Sequence, residues 1–417
     1  MRRAVVCVET PDFFLDEMER IASEEGDEVW VLSPEGRHRD RQRAILVDPR
    51  TEHDRAVQEL ARLVGQPDAV LTTQEMFLTQ ASAIADAFKV ARTPPAAVAA
   101  SRDKARMKEI WLAAGVRTPR GLFRNAIGGP DLALDGLEFP LIAKPSQGFA
   151  SCGVRKVTTR AELDEHLRKI FLVNSTVVAK ERLANTGFLV EEYVDGPEYS
   201  IDTIWFDGEP LCDGILIKGN APGPYYPDRL YHMDPQLPAA RADRIREISY
   251  RAVRALGVTN GATHTEVRFR DDEPFVLETT NRPGAGGLFY QLFTSASGVD
   301  FHRLYYLAAT CADSAELRAR AGGLTPKALP DNEYPFWYNL PHRGSGVIRA
   351  ITGLEQLAGR GEVDRCLSYK QPGGVLYPEG LEADYFVSVL GVYRPGPSDP
   401  PIADYVRRYD NMIEVTF

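Results

Sequence analysis

Along this chain of 417 residues the hydrophobic positions change period several times, and each change predicts an element. The run AVVCVE is continuously apolar, Phe14 to Glu24 repeats apolar residues at helical spacing, and EVWVLSP is strand-like again, so the amino terminus reads β-α-β. Ala44 to Val47 and Ala69 to Leu71 add short strands, making a small open α/β unit that the pair Pro94-Pro95 closes. From Ser101, a residue suited to an N-cap, a helix bearing Arg102, Lys104, Arg106 and Lys108 runs to Ala114 and stops at Gly115. FPLIAKPSQGFASCGVRKV reads as two strands joined by a loop of small residues, with AELDEHLRKIF as the amphipathic helix behind them. Longer strands are predicted over Tyr199 to Phe206, Leu211 to Lys218, His264 to Arg270 and Phe275 to Thr279, with a helix over Ala239 to Leu256. Beyond about Ala312 the short runs SGVIRAI, GGVLY and DYFVSVLGVY alternate with Gly-rich turns.

Four units follow: an α/β domain over 1–98, a linker helix and small lobe over 99–187, a larger β-rich lobe over 188–311 and a β-rich subdomain over 312–417. A chain of this length exceeds one ordinary core, since domains run to roughly 100 to 200 residues. Hydrophobic content of 44% and charged content of 26% put it in the ordinary globular class. No stretch approaches the roughly 18 apolar residues that cross a bilayer. In MRRAVVCVETPDFF, Glu9 and Asp12 follow the apolar run directly, which reads as a first strand rather than a signal peptide, so a cytoplasmic protein with no membrane partner is expected. A formal net charge of -10 argues against nucleic acid as a partner, because phosphate backbones are held by Lys and Arg. Cys7, Cys152, Cys212, Cys311 and Cys366 lack any C-x-x-C spacing, so reduced thiols are expected. The first strand is followed by ETPDFF and not by G-x-G-x-x-G, so no dinucleotide fingerprint is present.

Three clusters carry candidate chemistry. Lys144 ends the strand LIAK and precedes the loop PSQGFASCGV, where Gly148, Ser151 and Gly153 let backbone N–H groups approach phosphate oxygens; the bland alternative is a surface turn. Lys104 lies upstream, on what is otherwise a solvated basic helix face. In VEEYVDGPEYS a strand meets a sharp turn, leaving backbone groups of Glu192, Tyr193 and Val194 for an adenine edge and Glu198 for ribose hydroxyls, or else forming an exposed acidic hairpin. Glu266 and Glu278 sit on two strands joined by RFRDDEP, so a hairpin brings both to one face within reach of Mg²⁺, which takes few carboxylates plus phosphate oxygens. Arg282, four residues on, stands at the strand end to meet a phosphoryl oxygen, and GAGG beyond it offers N–H groups to an anion. Singly, each is as well read as an exposed strand residue; their joint occurrence in this order favours chemistry.

Taken together, these motifs resemble the ATP-grasp family, and within it the carboxylate-amine ligases of the L-amino-acid ligase kind. The resemblance covers nearly the whole chain. It implies an α/β and α+β multidomain protein: an ATP-grasp fold with an amino-terminal Rossmann-like domain and a carboxyl-terminal β-rich subdomain. VEEYVDGPEYS is similar to the hinge of D-alanine:D-alanine ligases, which implies that Glu191 to Val194 hold adenine and Glu198 the ribose. IAKPSQGFASCGV resembles the flexible phosphate loop, implying Lys144 and Lys104 as nucleotide lysines, and HTEVRF with LETTNRPGAGG implies Glu266 and Glu278 as metal ligands and Arg282 as the phosphate-stabilising arginine. The implied cofactors are ATP and Mg²⁺, with Mn²⁺ as the alternative metal. The implied partners are a small-molecule carboxylate and an amine, with homodimerisation by resemblance alone. The implied reaction activates the carboxylate as an acyl phosphate, joins it to the amine as an amide or peptide bond, and releases ADP and phosphate.

One departure is visible. Many family members carry Asn two residues after the second glutamate; here Thr280 stands there and Asn281 follows, and the amino-acid ligases also lose that Asn, which leaves the ligands of a second metal open. Lys218, at a strand end before NAPGPYYPD, is a further candidate for phosphates or substrate. His232, in YYPDRLYHMDP, is expected to line the substrate loop and orient or deprotonate the amine, or else to pack. His264 shares a strand face with Glu266 and is expected to support it. Rival readings are a biotin-carboxylase-like or purine-pathway enzyme and a catalytically silent scaffold. The chain has no M-K-M biotin site, and a scaffold has no physical need for both lysines, both carboxylates and Arg282.

Overall fold

In the structure, a computed structural model, the described residues are 2–34, 36, 38–124, 133–148, 150–174, 187–219, 224–322, 325–377 and 385–417. Phe149 of the small-residue loop, 220–223 of the Gly-Pro loop and Asp384 of the last strand-like run lie outside them.

The amino-terminal unit alternates β1 (Ala4–Val8), α1 (Asp12–Glu25), β2 (Glu28–Ser33), β3 (Ala44–Leu46), α2 (His53–Leu63), β4 (Ala69–Leu71) and α3 (Leu78–Ala87), with a parallel sheet in the order β3-β2-β1-β4. All five residues of β1 are buried because both faces are covered. Val5 and Cys7 pack toward α1, while Val6 and Val8 pack toward Leu60 of α2 and Ile84 of α3.

The helix expected from Ser101 is two helices, α4 (Pro95–Arg102) and α5 (Lys104–Ala113). Asp103 caps the second, accepting from the N–H groups of Ala105 and Arg106 at 3.0 and 3.1 Å. Ser101 instead finishes α4, its hydroxyl donating to the Val98 carbonyl at 2.8 Å.

The small lobe is an antiparallel sheet of β5 (Gly121–Arg124), β6 (Leu141–Pro145), β7 (Arg155–Val157) and β8 (Phe188–Glu192) in the order β5-β8-β6-β7, backed by α6 (Arg160–Val173). Phe188 and Val190 belong to the core of this lobe, so the crossing to the next lobe follows β8 and does not precede it.

The large sheet takes β9 (Glu198–Phe206), β10 (Glu209–Lys218), β11 (Leu230–His232), β12 (Gly261–Arg270) and β13 (Glu273–Thr280), with α7 (Ala239–Leu256) on one face and α8 (Leu288–Ser297) and α9 (Phe301–Thr310) on the other. Beyond residue 312 the chain adds β14 (Tyr334–Leu340), the short β15 (Gly346–Val347) and β16 (Ala350–Thr352), then β17 (Val363–Ser368), β18 (Val375–Leu376), β19 (Val387–Tyr393) and β20 (Glu414–Thr416). β14, β19 and β17 extend the large sheet to eight strands, β13-β12-β9-β10-β11-β14-β19-β17, so the carboxyl-terminal region shares the lobe's sheet. β15 pairs with β18 and β16 with β20 as small ribbons.

Central β9 is buried at all nine positions and alternates cleanly. Tyr199, Ile201 and Trp205 enter the core under α7, while Ile204 and Phe206 enter the core with α8 and α9. The polar residues Glu198, Ser200 and Asp202 share the latter face at the strand's start, where the apolar helices give way to a cavity. Among the described residues no helix is long and apolar enough to cross a membrane, and the five cysteines are free thiols.

Gly214 of β10 lies where a Cβ would come within 2.2 Å of the Phe293 ring on α8. Gly214→Ala is therefore expected to destabilise the large lobe by about 1 to 3 kcal/mol through overpacking, read as a lowered midpoint in urea unfolding.

Candidate active site

A cavity of about 750 Å³ lies between the small and large sheets and is closed at one end by the amino-terminal domain. Its charged walls are paired. Glu191, 3% exposed, sits between Lys144 at 2.6 Å and Lys108 at 2.8 Å. Burial works against both ammonium groups: it leaves Lys108 below its ordinary value, whereas at Lys144 the charges of Glu191 and Glu278 overcome it and raise the pKa. Lys104 reaches Glu278 at 3.2 Å. Spacing along one helix explains why Lys104 and Lys108 of α5 aim together: residues four apart share a face. That face is the site's wall and not the solvated one expected.

Lys218 contacts Asp228 at 2.9 Å and Glu198 at 3.0 Å and approaches Glu266 at 3.7 Å. Its pKa lies well above the ordinary value, since these three carboxylates outweigh the burial that would lower it. Glu198 also takes Arg268 Nε at 2.7 Å. Asp228 accepts from the hydroxyls of Tyr231 at 2.9 Å and Tyr385 at 3.0 Å, which ties β11 and the carboxyl-terminal region into the same wall.

The two candidate metal ligands stand directly opposite each other on the β12–β13 hairpin, and a bulge puts them there. The register runs Arg268 to Phe275 and Val267 to Val276, then skips Leu277 to pair Glu266 with Glu278. Without the extra residue Leu277 would face Glu266, and Glu278 would point into the core beneath α7. With it, both carboxylates line the cavity. Among the described residues no group of three or more His, Cys, Asp or Glu side chains converges as a metal cluster. Two carboxylates, each near a lysine, fit a divalent ion that draws its remaining ligands from phosphate and water.

Arg282 faces the same cavity, its Nε on Glu75 and its Nη1 on the Pro283 carbonyl at 2.8 Å. Glu75 comes from a short helical turn, Glu75–Phe77, of the amino-terminal domain; it also pairs with Arg102 and accepts from the Thr280 hydroxyl at 2.8 Å. Burial alone would raise its pKa, but the charges of Arg102 and Arg282 and the Thr280 hydrogen bond bring it down to about 2. Asp202 accepts from His264 Nδ1 at 2.6 Å and from the Gly284 N–H at 2.6 Å. Burial opposes a charge on His264, yet Asp202 and Glu266 raise its pKa to about 10. The Gly284 N–H is thus engaged and is not open to an anion as expected; Ala285 and Gly286, both at positive φ, line the cavity beside it.

Of the residues expected at the site, Lys104, Lys144, Ser151, Glu191, Glu198, Lys218, Glu266, Glu278 and Arg282 line this cavity. His232 does not. Along β11 alternate side chains face opposite ways, so Tyr231 takes the cavity side beside Lys218, and His232 packs toward Tyr334 with Nδ1 by the Met233 carbonyl at 3.3 Å. Burial lowers the His232 pKa. It is buried packing and not a group that meets the amine. Gly153 does not line the cavity either: it holds the loop from behind, at φ 74, its carbonyl on His166 Nε2 at 2.9 Å.

Nor are the backbone groups of the hinge all free. The Glu192 N–H donates to the Arg120 carbonyl at 2.9 Å and the Tyr193 N–H to the Pro140 carbonyl at 3.3 Å. The carbonyls of Tyr193 and Val194 accept from Arg270 at 2.7 Å and Arg268 at 2.9 Å. None of Glu192, Tyr193 and Val194 lines the cavity: the two N–H groups bond within the small lobe, and the two carbonyls, just after β8, tie it to β12 of the large one. Sequence reasoning missed Glu75, Arg102, Asp228 and Tyr385 as site residues: Arg102, Asp228 and Tyr385 stand inside segments it singled out, but the partners each meets are set by tertiary packing.

The sequence of residues 137–289, which spans much of the two sheets around this cavity, matches the ATP-grasp domain family. The chain is 30% identical over 239 residues to D-alanine–D-alanine ligase of Delftia acidovorans, spanning 54% of this chain and 69% of that protein. It is 27% identical over 250 residues to alanine–anticapsin ligase of Bacillus subtilis, spanning 56% of this chain but only 52%, about half, of that relative. It therefore belongs to the ATP-grasp family. Among solved structures, an L-amino acid ligase from Bacillus licheniformis superposes with a TM-score of 0.84 at 24% identity, covering 100% of this chain and 99% of that one. A biotin carboxylase from Campylobacter jejuni superposes at 0.68 with 15% identity, covering 100% and 92%; both likenesses are of fold.

Removing the Glu75 charge strands two guanidinium groups, so Glu75→Gln is expected to lower stability by about 3 to 5 kcal/mol at pH 7. A folded pKa below the unfolded 4.5 contributes stability that is present above about pH 4.5 and lost as pH falls toward 2. In urea unfolding from pH 7 to pH 3, the gap between wild type and Glu75→Gln is expected to be constant down to about pH 5 and to narrow below it.

Proposed function

We propose that the protein is an ATP-dependent carboxylate-amine ligase that activates a carboxylate, most simply that of an amino acid, as an acyl phosphate and joins it to an amine, releasing ADP and phosphate. The observation that carries this is the convergence of Lys104, Lys144, Glu266, Glu278 and Arg282 on one cavity. The volume, about 750 Å³, suits a nucleotide with a small substrate. The relatives named as ligases support the same chemistry.

Phosphoryl transfer asks a protein mainly for positioning and neutralised charge. Lys144 and Lys104 stand as phosphate cations, each held in place by a glutamate. Glu266 and Glu278 would hold Mg²⁺, or Mn²⁺ in its place, which supplies charge neutralisation on phosphate oxygens. Arg282, steadied by Glu75 and the Pro283 carbonyl, would turn its remaining outer nitrogen, Nη2, to the carboxylate and to the oxygen developing charge. Glu198 serves the ribose and Ser151 and its loop the phosphates, while of the hinge segment from Glu191 to Val194 it is Glu191 that lines the cavity to meet the adenine. No protein nucleophile is required. The partners are small molecules, the setting cytoplasmic, and a homodimer is the assembly proposed.

The test is ADP release from ATP and Mg²⁺ over a panel of amino acids offered singly and in pairs, with mass spectrometry of the product. Turnover that requires an acid and an amine together, with a product mass equal to their sum less water, is expected. Turnover that requires bicarbonate and biotin would replace the proposal with a carboxylase, and silence with every pair and either metal would leave a nucleotide-binding scaffold. Glu278→Gln, which keeps the shape of the hairpin, is expected to lower ADP release by about 10²-fold or more with unchanged thermal unfolding.

A further inference from the structure

The cations lining the cavity are matched one by one. Lys104 has Glu278, Lys144 has Glu191, Lys218 has Glu198 and Asp228, Arg268 has Glu198 and Arg282 has Glu75. Arg365 lines the same cavity and has no carboxylate partner among the described residues. Its guanidinium lies 5.9 Å from the ring centre of Phe13 instead.

Where Arg365 sits follows from strand alternation. It lies on β17, the last strand of the large sheet, where Arg365 and Leu367, two residues apart, line the cavity and are joined by Ser368 and Tyr369 at the strand's end. Cys366 between them packs against the carboxyl-terminal core. The Tyr369 ring meets Tyr385 at 5.7 Å, and Tyr385 meets Trp337 edge-on at 5.9 Å, so an aromatic wall runs from Arg365 toward the Asp228 end of the cavity. The acids across from it are committed elsewhere: Asp16 to Arg41 at 2.7 Å and Glu17 to Arg20 at 2.9 Å. A guanidinium on a partly buried residue, without a carboxylate partner among the described residues and set at the edge of an apolar wall, is built to receive a planar anion from a ligand.

Building on the ligase reading, we infer that Arg365 binds the free carboxylate of the amine-bearing substrate, and that Tyr369, Tyr385 and Trp337 take its side chain. The amine substrate is thus an α-amino acid with an apolar or aromatic side chain, and not a simple amine. The carboxylate to be activated belongs beside Arg282 and the lysines, so the two anions of the reaction have separate cationic seats.

The test compares apolar amino acids with their C-terminal amides, on wild type and Arg365→Gln. Binding is followed by tryptophan fluorescence with a non-hydrolysable ATP analogue and Mg²⁺, and turnover by ADP release with the acid partner saturating. On wild type the free amino acid is expected to bind, and to show a KM as amine substrate, about tenfold or more better than the amide. Arg365→Gln is expected to erase that difference while leaving KM for ATP and for the acid partner unchanged. Equal binding of amino acid and amide to wild type, an equal loss of both in the variant, or no binding of any amino acid would overturn the inference. Binding that depends on Arg365 without ADP release would instead sink the ligase reading and keep the subsite. Because the first comparison uses wild type alone, it stands even if the variant folds poorly.

Discussion

A carboxylate held out of water needs a cation beside it, and this requirement organises the molecule. Glu75, Glu191 and Glu198 are all buried, and each draws in side chains from distant parts of the chain: Arg102 and Arg282, Lys108 and Lys144, Lys218 and Arg268. Breaking such a pair leaves a charge stranded, which costs several kcal/mol. The arrangement thus fixes lysine and arginine positions more tightly than packing of flexible side chains could. A site for a polyanion comes out of the folding of ion pairs.

The sheets supply the frame for those pairs. β8 completes the small lobe, and the peptide groups just after it are tied to Arg268 and Arg270 of β12, so the join between lobes is itself hydrogen-bonded. The amino-terminal domain enters the chemistry through Glu75, and the carboxyl-terminal strands enter through Tyr385 and Arg365 on the far part of the large sheet. Four segments far apart in sequence therefore wall one cavity. The carboxyl-terminal region, which reads as a separate subdomain, extends the same sheet because β14 pairs with β11 along its free edge.

Much of this was legible beforehand. The fully apolar β1, the amphipathic α1 and α7 with glycine after each, and the long strands β9, β10, β12 and β13 follow from nearest-neighbour periodicity. So does the order of Lys144, Glu198, Glu266, Glu278 and Arg282, each on or just after a strand. Ser101 was misleading because Asp103, two residues on, has the stronger claim to the cap. His232 was misleading because the phase of a three-residue strand cannot be set from three residues: its neighbours decide which side Tyr231 takes.

Alone, the sequence determined the elements, their order and the stock of charges, since these depend on residues within a turn or two of one another. Tertiary structure decided which charges meet. Residues 75 and 282, or 228 and 385, become partners only when separate elements pack, and no local period encodes that distance. The clearest instance is the single extra residue at Leu277, which turns Glu278 from the core to the cavity. A strand's alternation is fixed locally, but its phase against a partner is set by pairing, and one residue of slip exchanges inside for outside.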